Sequence, residues 1–285
     1  MLLGKKTILI TGATGFIGSN FINTLDESHY NIIGVKHRVN SAPRVQLNRN
    51  VHWTVGALEN IPLDLLTRVD VVVHLASHSA NHPYDSLINC IDQNVTRHLR
   101  FIDNAYKSGV RRFLLAGSCF EYGDSGMRYE YIPVDAPLEP KGSYPVSKAM
   151  FFLAIKEFFK DKESVVSYQR IFQVYGEGEA QSRFWPTLKS TALSGKDMEM
   201  TLGEQVRDFI HVEDVAVQLK NKCISQLSLT DTSFFEIENL ASGTAQTLKD
   251  FAEYWWNLWE AKGKLRIGQT EYRANEIMRF VPEIK

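Results

Sequence analysis

Three glycines near the start of the chain constrain its fold more than any other feature. Gly12, Gly15 and Gly18 follow an apolar run at residues 7–10 and accompany a helix-like segment that opens at Phe16. In a strand–turn–helix unit, the first glycine permits a tight turn, the second lets the backbone approach a pyrophosphate, and the third lets helix and strand pack closely. Free N–H groups at the helix N-terminus then favour an anion. The predicted cofactor contacts of this dinucleotide loop are Gly12, Thr14, Gly15, Phe16, Ile17 and Gly18.

The first 170 residues alternate short β-branched runs with longer helical patterns. This alternation is typical of a parallel sheet with crossover helices. The predicted strands are residues 7–11, 31–35, 51–55, 70–76, 112–117 and 165–170, and the predicted long helices are residues 84–107 and 144–160. We therefore predict an α/β fold, a Rossmann-type doubly wound parallel sheet with a smaller C-terminal substrate-binding region.

The pattern changes after Gln173, where glycines, prolines and polar residues break the chain into shorter pieces. A strand-like segment at 234–238 and a Trp-rich helix at 248–259 stand out among them. The predicted division is an NAD(P)-binding domain at residues 1–170 and a mainly substrate-binding region at residues 171–285, some segments of which return to the first domain.

The residues after the second predicted strand bear on the choice between NAD and NADP. NAD-binding chains usually place Asp or Glu there, whereas a nearby cation accommodates the 2′-phosphate of NADP. Here the positions hold Lys36, His37 and Arg38, with no carboxylate. The sequence therefore favours NADP(H) over NAD(H). A solvated basic loop is the alternative interpretation.

A Tyr-x-x-x-Lys pair opens the second long helix. Tyr144 and Lys148 lie one turn apart on one helix face. An ammonium beside a phenol favours the phenolate and lowers the pKa of the phenol from about 10 toward neutrality. Ser118 ends the fifth strand, where ligands gather on parallel sheets. These three residues are predicted to be catalytic because they follow a glycine-rich loop. In isolation, a surface Tyr/Lys pair would be the simpler interpretation.

Charge and cysteine content limit the partners. The chain has 32 Lys+Arg against 33 Asp+Glu, so no whole-molecule charge attracts nucleic acid or an anionic membrane. Its three cysteines are far apart and form no CxxC pair, which argues against a disulfide framework or a metal site. No apolar run reaches the ~18 residues of a spanning helix. We expect a cytoplasmic enzyme without nucleic-acid, membrane or metal partners.

Several motifs, in the expected order, resemble the extended short-chain dehydrogenase/reductase family in its sugar-nucleotide epimerase/dehydratase branch. They are GATGFIGSN, DVVVHLAS, SCFEYG, YPVSK and EQVRDFIHVEDVA, and the resemblance runs from Thr7 to about Gly243. It implies an NAD(P) cofactor, a nucleotide-sugar substrate and a homodimer formed by the two long helices. The second helix carries surplus aromatic residues that suit an interface, although a plain core helix is the alternative: Phe151, Phe152, Phe158 and Phe159.

The resemblance also implies roles for individual residues. Ser118, Tyr144 and Lys148 would form the triad, with Lys148 also holding the nicotinamide ribose. The further cofactor residues would be Leu75, Ala76, Ser77 and Asn94, the last as a support between helix and strand. The substrate contacts would be Glu121, Gln173, Arg183 and Arg207.

Two of these implications carry an open question. Arg207 would bind the substrate diphosphate, and a structural ion pair with Asp208 or Asp214 is the alternative. The branch often has Gly-Asp-Leu after the third strand to contact adenine, whereas this chain has an alanine at the central position, Ala57. Adenine would then rely on backbone contacts and packing.

Three reactions occur in this branch: 4-epimerisation, 4,6-dehydration and reduction of a 4-keto sugar. Dehydratases carry an Asp-Glu pair directly after the catalytic Ser or Thr, where this chain has Cys119 and Phe120, which are unsuited to that acid–base work. The basic segment after the second strand favours a reductase that consumes NADPH over an epimerase.

The short chain and the SCFEYG segment resemble the CDP-abequose and CDP-paratose synthases, which reduce a CDP-linked 4-keto-3,6-dideoxyhexose for O-antigen and lipopolysaccharide sugars. The sequence therefore predicts an NADPH-dependent reduction of the C4 keto group of such a nucleotide-linked deoxysugar. The alternatives are a nucleotide-sugar 4-epimerase and a non-catalytic dinucleotide-binding protein.

Overall fold

A seven-stranded parallel sheet forms the centre of the molecule, whose computed structural model describes residues 4–229, 233–274 and 276–284. In chain order, the strands are β1 (Lys6–Thr11), β2 (Tyr30–Lys36), β3 (His52–Val55), β4 (Val71–His74), β5 (Arg112–Ser118), β6 (Val165–Ile171), β7 (Gln173–Tyr175), β8 (Met198–Met200), β9 (Val206–His211), β10 (Phe234–Leu240), β11 (Ala245–Thr247), β12 (Leu265–Ile267) and β13 (Arg279–Phe280).

The helices cover both faces of this sheet and much of the C-terminal region. In chain order, they are α1 (Phe16–Thr24), α2 (Leu63–Leu66), α3 (Leu87–Ile91), α4 (Arg97–Lys107), α5 (Ser143–Phe159), α6 (Phe184–Leu193), α7 (Val212–Ser228) and α8 (Leu248–Leu258). A π-helical turn at Asp92–Thr96 joins α3 to α4, so the predicted helix at 84–107 is interrupted there. Short 3₁₀ turns span Leu58–Asn60, Cys119–Glu121 and Asp124–Arg128.

The strand order of the central sheet is β3-β2-β1-β4-β5-β6-β10, and all neighbours are parallel. The direction of winding reverses between β1 and β4. In a doubly wound sheet, ligands bind outside the carboxyl ends of the strands at such a switch point. The predicted Rossmann-type fold is confirmed, and all six strands predicted in the first 170 residues lie in this sheet.

The central strands are apolar on both faces because helices cover both. Leu9 and Val72 face one side, where they pack with Phe101 and Phe151. Ile8, with its neighbours in β1 and β4, faces the other side against α1 and α7. Continuous apolar runs are what a parallel strand buried on both faces requires. This double core fixes the sheet whose carboxyl edge forms the site.

The aromatic residues of α5 lie mainly in the core and not at its surface. Phe151, Phe152 and Phe159 are buried and Phe158 packs partly buried against the same cluster. The expectation that these rings supply a dimer surface is therefore wrong, because the sheet and α4 already cover them. The exposed apolar residues of α5 are Met150 and Leu153.

Segments after residue 170 divide between the central sheet and a smaller body. The strand-like segment at 234–238 is part of β10, which pairs with β6 along the whole strand, and α7 packs against α1. The smaller body contains β7, β9, β11 and β13, in which β9 pairs with the other three, and the pair β8–β12. Helices α6 and α8 enclose a separate apolar cluster there. This body lies beside the carboxyl edge of β5 and β6.

Within the described residues, no helix has both the length and the apolarity needed to cross a bilayer. The same part of the chain contains no group of three or more His, Cys, Asp or Glu side chains placed to hold a metal ion. Cys90, Cys119 and Cys223 are buried and unpaired.

Candidate active site

A cleft with two adjoining cavities opens at the carboxyl edge of the central sheet. The first, of about 600 Å³, contains the glycine loop and is called here the glycine-loop cavity. The second, of about 760 Å³, is lined by Arg183, Arg207 and Arg273 and is called the arginine cavity. Both cavities share one set of lining residues, called the junction: Asn81, Phe120, Gln173, Val174, Glu179 and Arg183. Ligands bound in the two cavities would therefore contact each other at the junction.

The glycine loop has the backbone that its spacing predicts. Gly12 has φ +66°, and a Cβ there would come within 2.6 Å of the Leu75 carbonyl carbon. A Cβ on Gly18 would come within 2.2 Å of the Gly12 oxygen. Gly15 is the N-cap residue of α1 and has no side chain to cap the helix, and the first turn of α1 contains no acidic residue. The helix therefore presents free N–H groups and a partial positive charge to the cavity, which fits a pyrophosphate.

The cations after β2 do not all face this cavity. The Lys36 Nζ lies 4.3 Å from the centre of the Trp53 ring, and neither Lys36 nor Arg38 belongs to the cavity lining, whereas His37 does. Arg44, which the sequence reasoning missed, also lines the cavity, and its N–H donates to the Thr14 oxygen at 3.1 Å. Lys36 and Arg38 therefore lie beside this cavity and not in its lining, and their contact with the cofactor stays a prediction. Arg44 lies in an irregular segment, so no periodicity pointed to it.

A carboxylate lies near the end of β3, although Ala57 occupies the expected position. Glu59 lines the glycine-loop cavity, and its Oε1 pairs with Arg97 Nη1 at 2.9 Å. Its Oε2 is buried without a hydrogen-bond partner. Because buried polar atoms are nearly always paired in folded proteins, this oxygen suits an N–H donor of a ligand. The sequence reasoning missed Glu59, which stands two positions beyond the expected carboxylate.

The structure brings Ser118, Tyr144 and Lys148 together in the glycine-loop cavity. Ser118 ends β5, and Tyr144 and Lys148 lie in the first turns of α5. The side chains of Ser77 and Ser118 lie close enough to the Tyr144 phenol to act on its pKa. The Lys148 Nζ donates to the Ala116 oxygen at 2.6 Å. The phenol and the Ser118 hydroxyl can therefore contact the same ligand oxygen.

The protonation of these groups differs from the expectation. Burial raises the pKa of Tyr144 to about 12, although the side chains of Ser77 and Ser118 act in the opposite direction. Burial also lowers the pKa of Lys148 to about 8, against the charge of Glu121. The predicted lowering of the phenol pKa is not found, because loss of hydration outweighs the effects of Ser77 and Ser118. The phenol is protonated at neutral pH and can donate.

Asn94 and the strand end at residues 75–77 shape the same cavity. Leu75, Ala76 and Ser77 line it, as expected. Asn94 is buried in the π-helical turn outside the lining, where its Nδ2 donates to the His78 oxygen at 3.0 Å and to the Ser147 Oγ at 2.9 Å. The side chain thus ties the loop after β4 to α5. Asn94 therefore supports the cavity wall and does not line the cavity itself.

Glu121 is the one predicted substrate contact that the structure removes from the cleft. Its side chain is fully buried, and its Oε2 pairs with Arg170 Nε at 2.8 Å. Its Oε1 accepts from the Tyr168 hydroxyl at 2.7 Å and from the Ser118 N–H at 2.8 Å. The prediction is wrong because the side chain folds back in a capping box on Ser118. Glu121 holds the backbone of Ser118 in place.

The other predicted substrate residues line the cleft. Gln173 and Arg183 lie at the junction, and Arg207 lies in the arginine cavity. Arg207 pairs with Glu276 at 3.6 Å, and not with either aspartate that the sequence suggested. Burial lowers the pKa of Arg207, and Glu276 opposes this effect. Arg273 is a further cation of the arginine cavity that the sequence reasoning missed.

Unpartnered polar atoms concentrate around the cleft. Among the described residues, five buried side-chain N or O atoms have no hydrogen-bond partner, and four belong to residues that line a cavity. They are the Glu59 Oε2, the Glu179 Oε2, the Trp185 Nε1 and the Gln205 Oε1. Since such atoms are costly unless paired, their clustering supports polar ligands in both cavities.

Comparisons with known proteins identify the family and the fold. The profile of the NAD dependent epimerase/dehydratase family matches residues 8–219. The chain is 27% identical to CDP-abequose synthase of Salmonella typhimurium (strain LT2), over 99% of this chain and 91% of that protein. It is 25% identical to dTDP-6-deoxy-L-talose 4-dehydrogenase (NAD(+)) of Aggregatibacter actinomycetemcomitans, over 86% and 88%. A similar solved structure is UDP-N-acetylglucosamine 4-epimerase from Methanobrevibacter ruminantium M1 in complex with UDP-N-acetylmuramic acid, with a TM-score of 0.85, 21% identity and coverage of 99% and 90%.

Proposed function

Because the chain belongs to the NAD dependent epimerase/dehydratase family, we propose that it is an NADPH-dependent reductase of a nucleotide-linked 4-keto deoxysugar. The observation that carries this proposal is the shared position of Ser118, Tyr144 and Lys148 in the glycine-loop cavity, where burial raises the pKa of the Tyr144 phenol to about 12. The similarity to CDP-abequose synthase supports a CDP-4-keto-3,6-dideoxyhexose as substrate, in the biosynthesis of O-antigen or lipopolysaccharide sugars.

In the proposed mechanism, Tyr144 acts as the general acid. NADPH, when bound, supplies the hydride that reduces the C4 carbonyl. Tyr144 donates its phenolic proton to the sugar oxygen as negative charge develops there, and the Ser118 hydroxyl stabilises that oxygen. Lys148 stays near the phenol and holds the nicotinamide ribose. Reduction needs a protonated phenol at the start, which is the state that burial favours.

The residues beside Ser118 argue against dehydration. Cys119 follows it directly, and burial raises the pKa of that thiol to about 12. Phe120 lines the junction and carries no titratable group. Neither side chain can protonate a leaving hydroxyl or take a proton from carbon at neutral pH. A 4-epimerase is the second candidate, and it differs because it begins with oxidation of the sugar, which requires Tyr144 as a base.

For the cofactor, we propose NADP(H) over NAD(H). Arg44 and His37 line the end of the glycine-loop cavity next to β2, where a 2′-phosphate would lie, and an arginine binds phosphate well. Glu59 would accept from the adenine amino group through its unpartnered Oε2. The free N–H groups of α1 would hold the pyrophosphate.

For the substrate, the proposed diphosphate site is formed by the guanidinium groups of the arginine cavity, Arg207 first and then Arg183 and Arg273. A planar guanidinium binds two phosphate oxygens at once, which a lysine does not. Gln173 would contact the sugar at the junction. In this scheme the central sheet is the NAD(P)-binding domain and the smaller body after residue 170 binds most of the substrate.

We also propose a cytoplasmic homodimer. Apolar side chains of α3 and α5 face solvent, with Ile88 79% and Leu153 58% exposed, and the two helices pack side by side. Leu153→Glu should convert the dimer to a monomer in sedimentation experiments. Leu258→Glu, at an exposed position of α8, should leave the dimer intact, and equal behaviour of both variants would contradict this interface. The buried thiols suit a reducing compartment.

The deciding experiment incubates the protein with NADPH and a panel of CDP-, dTDP-, UDP- and GDP-linked 4-keto deoxysugars. We expect stoichiometric loss of NADPH absorbance and a C4 alcohol in the product NMR spectrum. An epimerised product without net NADPH consumption would establish the second candidate. Tight cofactor binding without any product would favour a non-catalytic dinucleotide-binding protein.

A further inference from the structure

Glu179 occupies the place where the two cavities meet, yet the mechanism above does not use it. It lines both cavities, and its side chain is only 7% exposed. One carboxylate oxygen, Oε1, lies 3.3 Å from the Arg183 Nε, and the other, Oε2, is buried without a partner. An ionisable side chain buried in this way needs a donor that the chain does not provide.

The backbone around Glu179 holds this carboxyl in position. The Glu179 N–H donates to the Gly176 oxygen at 3.2 Å, and Asn20 donates to the Glu177 oxygen at 3.1 Å. Gly178, with φ +92°, passes so close to Arg44 and Val45 that a Cβ there would clash. The loop is therefore fixed between α1 and the segment that carries Arg44, and its carboxyl does not need to be ordered by the ligand.

The chemistry of the junction limits what the free oxygen can bind. A carboxylate oxygen accepts hydrogen bonds and repels phosphate, so the diphosphate belongs with Arg207 and Arg273, which line the second cavity outside the junction. The group at the junction must reach both Tyr144 and the arginine cavity, which is the position of the sugar ring. A sugar ring offers hydroxyl groups as donors. Burial also raises the pKa of Glu179 to about 7, against the effect of Arg183, which is consistent with an unsatisfied carboxyl.

We propose that Glu179 is a specificity-determining residue whose Oε2 accepts a hydrogen bond from a hydroxyl of the substrate sugar. The identity of the ligand rests on the proposed function, whereas the unpartnered oxygen and its position do not. The carboxylate selects sugars with a hydroxyl at the ring position facing it. Arg183 favours the ionised form and orients the side chain through its contact with Oε1.

A binding experiment tests this role without turnover. Calorimetry would compare CDP-glucose with CDP for the unmodified protein, Glu179→Ala and Glu179→Gln. A hydrogen bond to a charged group contributes about 1.5–3 kcal/mol, so Glu179→Ala should weaken CDP-glucose binding about 10- to 100-fold and leave CDP binding unchanged. Glu179→Gln keeps an acceptor oxygen and should lose less. Glu177→Ala is the matched control, because this neighbouring glutamate is exposed and pairs with Lys189.

Equal losses of affinity for CDP-glucose and CDP would overturn the inference, because the carboxyl would then stabilise the loop and not bind the sugar. Weakened NADPH binding would also overturn it, because the carboxyl would then contact the nicotinamide amide. Circular dichroism and thermal melting of both variants show whether the fold is intact. With a 4-keto substrate, the loss should appear in KM more than in kcat. If no 4-keto sugar is reduced but the CDP-glucose effect is present, the proposed function fails and the role of Glu179 stands.

Discussion

The two cavities differ in how they present polar groups to a ligand. The glycine-loop cavity uses backbone N–H groups at α1, and the buried side chains behind it bond to one another, as in the chain from Thr11 through His74 to His98. The arginine cavity has unpartnered atoms on Glu179, Trp185 and Gln205 and three arginines. The glycine-loop cavity shares Arg183 and the unpartnered Glu179 oxygen with it and adds the unpartnered Glu59 oxygen, so the cavities differ in the backbone groups of α1 and in the unpartnered atoms of Trp185 and Gln205.

This difference teaches where specificity is encoded. Backbone groups at a helix N-terminus recognise any pyrophosphate, so that cavity serves a cofactor shared by many enzymes. Unpartnered side chains are costly in the free protein and are satisfied only by a ligand with matching donors and acceptors. On the proposed function, the second cavity would discriminate among substrates, and its residues would lower stability in exchange for recognition.

The largest effect is expected at the acid of the first cavity. Tyr144→Phe should reduce NADPH oxidation with a 4-keto sugar nucleotide about 10³-fold, because general acid catalysis is lost while the ring that packs beside the cofactor remains. NADPH binding, measured by fluorescence titration, should change less than about twofold. Turnover close to that of the unmodified enzyme would remove Tyr144 from the mechanism.

The next largest effect is a loss of stability when the buried Glu121–Arg170 ion pair behind the glycine-loop cavity is broken. Glu121→Ala leaves Arg170 buried without its partner, and breaking such a pair costs about 3–5 kcal/mol of unfolding free energy in urea. The control is Glu139→Ala, whose pair with Arg128 is exposed and screened by solvent, so its loss should change the unfolding free energy far less. Similar losses in both variants would mean that the buried network is not what stabilises this edge of the sheet.

A smaller effect is expected on the preference for NADPH over NADH. Arg44→Ala removes the guanidinium that lines the cavity near β2, so NADPH affinity should fall about tenfold while NADH affinity stays within about twofold. Arg38→Ala, outside the lining, is the matched control and should affect neither cofactor. A larger loss at Arg38 than at Arg44 would show that the loop rearranges when the cofactor binds.

The smallest effect is a change in stability at the second cavity. The folded-state pKa of Glu179 is raised from 4.5 to about 7, so its ionised form destabilises the fold. Below about pH 4.5, Glu179 is protonated in both the folded and the unfolded state, so it does not lower stability. The loss of stability develops as the pH rises from about 4.5 to about 7 and is complete above pH 7. Glu179→Gln should therefore raise Tm by about 2 °C at pH 8 and leave it unchanged near pH 4.5. Glu177→Gln should change Tm at neither pH.

Local patterns were sufficient for the strands of the sheet and for the three proposed catalytic residues. The strands repeat apolar residues because each is buried on both faces, and the glycine spacing follows from one turn whose geometry tolerates no side chain. Tyr144 and Lys148 share a helix face, so their proximity follows from spacing alone. The interruption of the helix at Asp92–Thr96 and the core location of Phe151 had no such local signal.

The sequence by itself determined the strands of the central sheet, the glycine loop and the shared helix face of Tyr144 and Lys148, because each is encoded by a local pattern, and Ser118 was located by its position at a strand end. Tertiary structure alone decided the rest. Glu121 pairs with Arg170, 49 residues away, and does not line the cleft. Arg44 lines the cavity where the sequence predicted Lys36 and Arg38. The protonation of Tyr144 and the unpartnered oxygen of Glu179 also depend on burial, which only packing between distant segments creates.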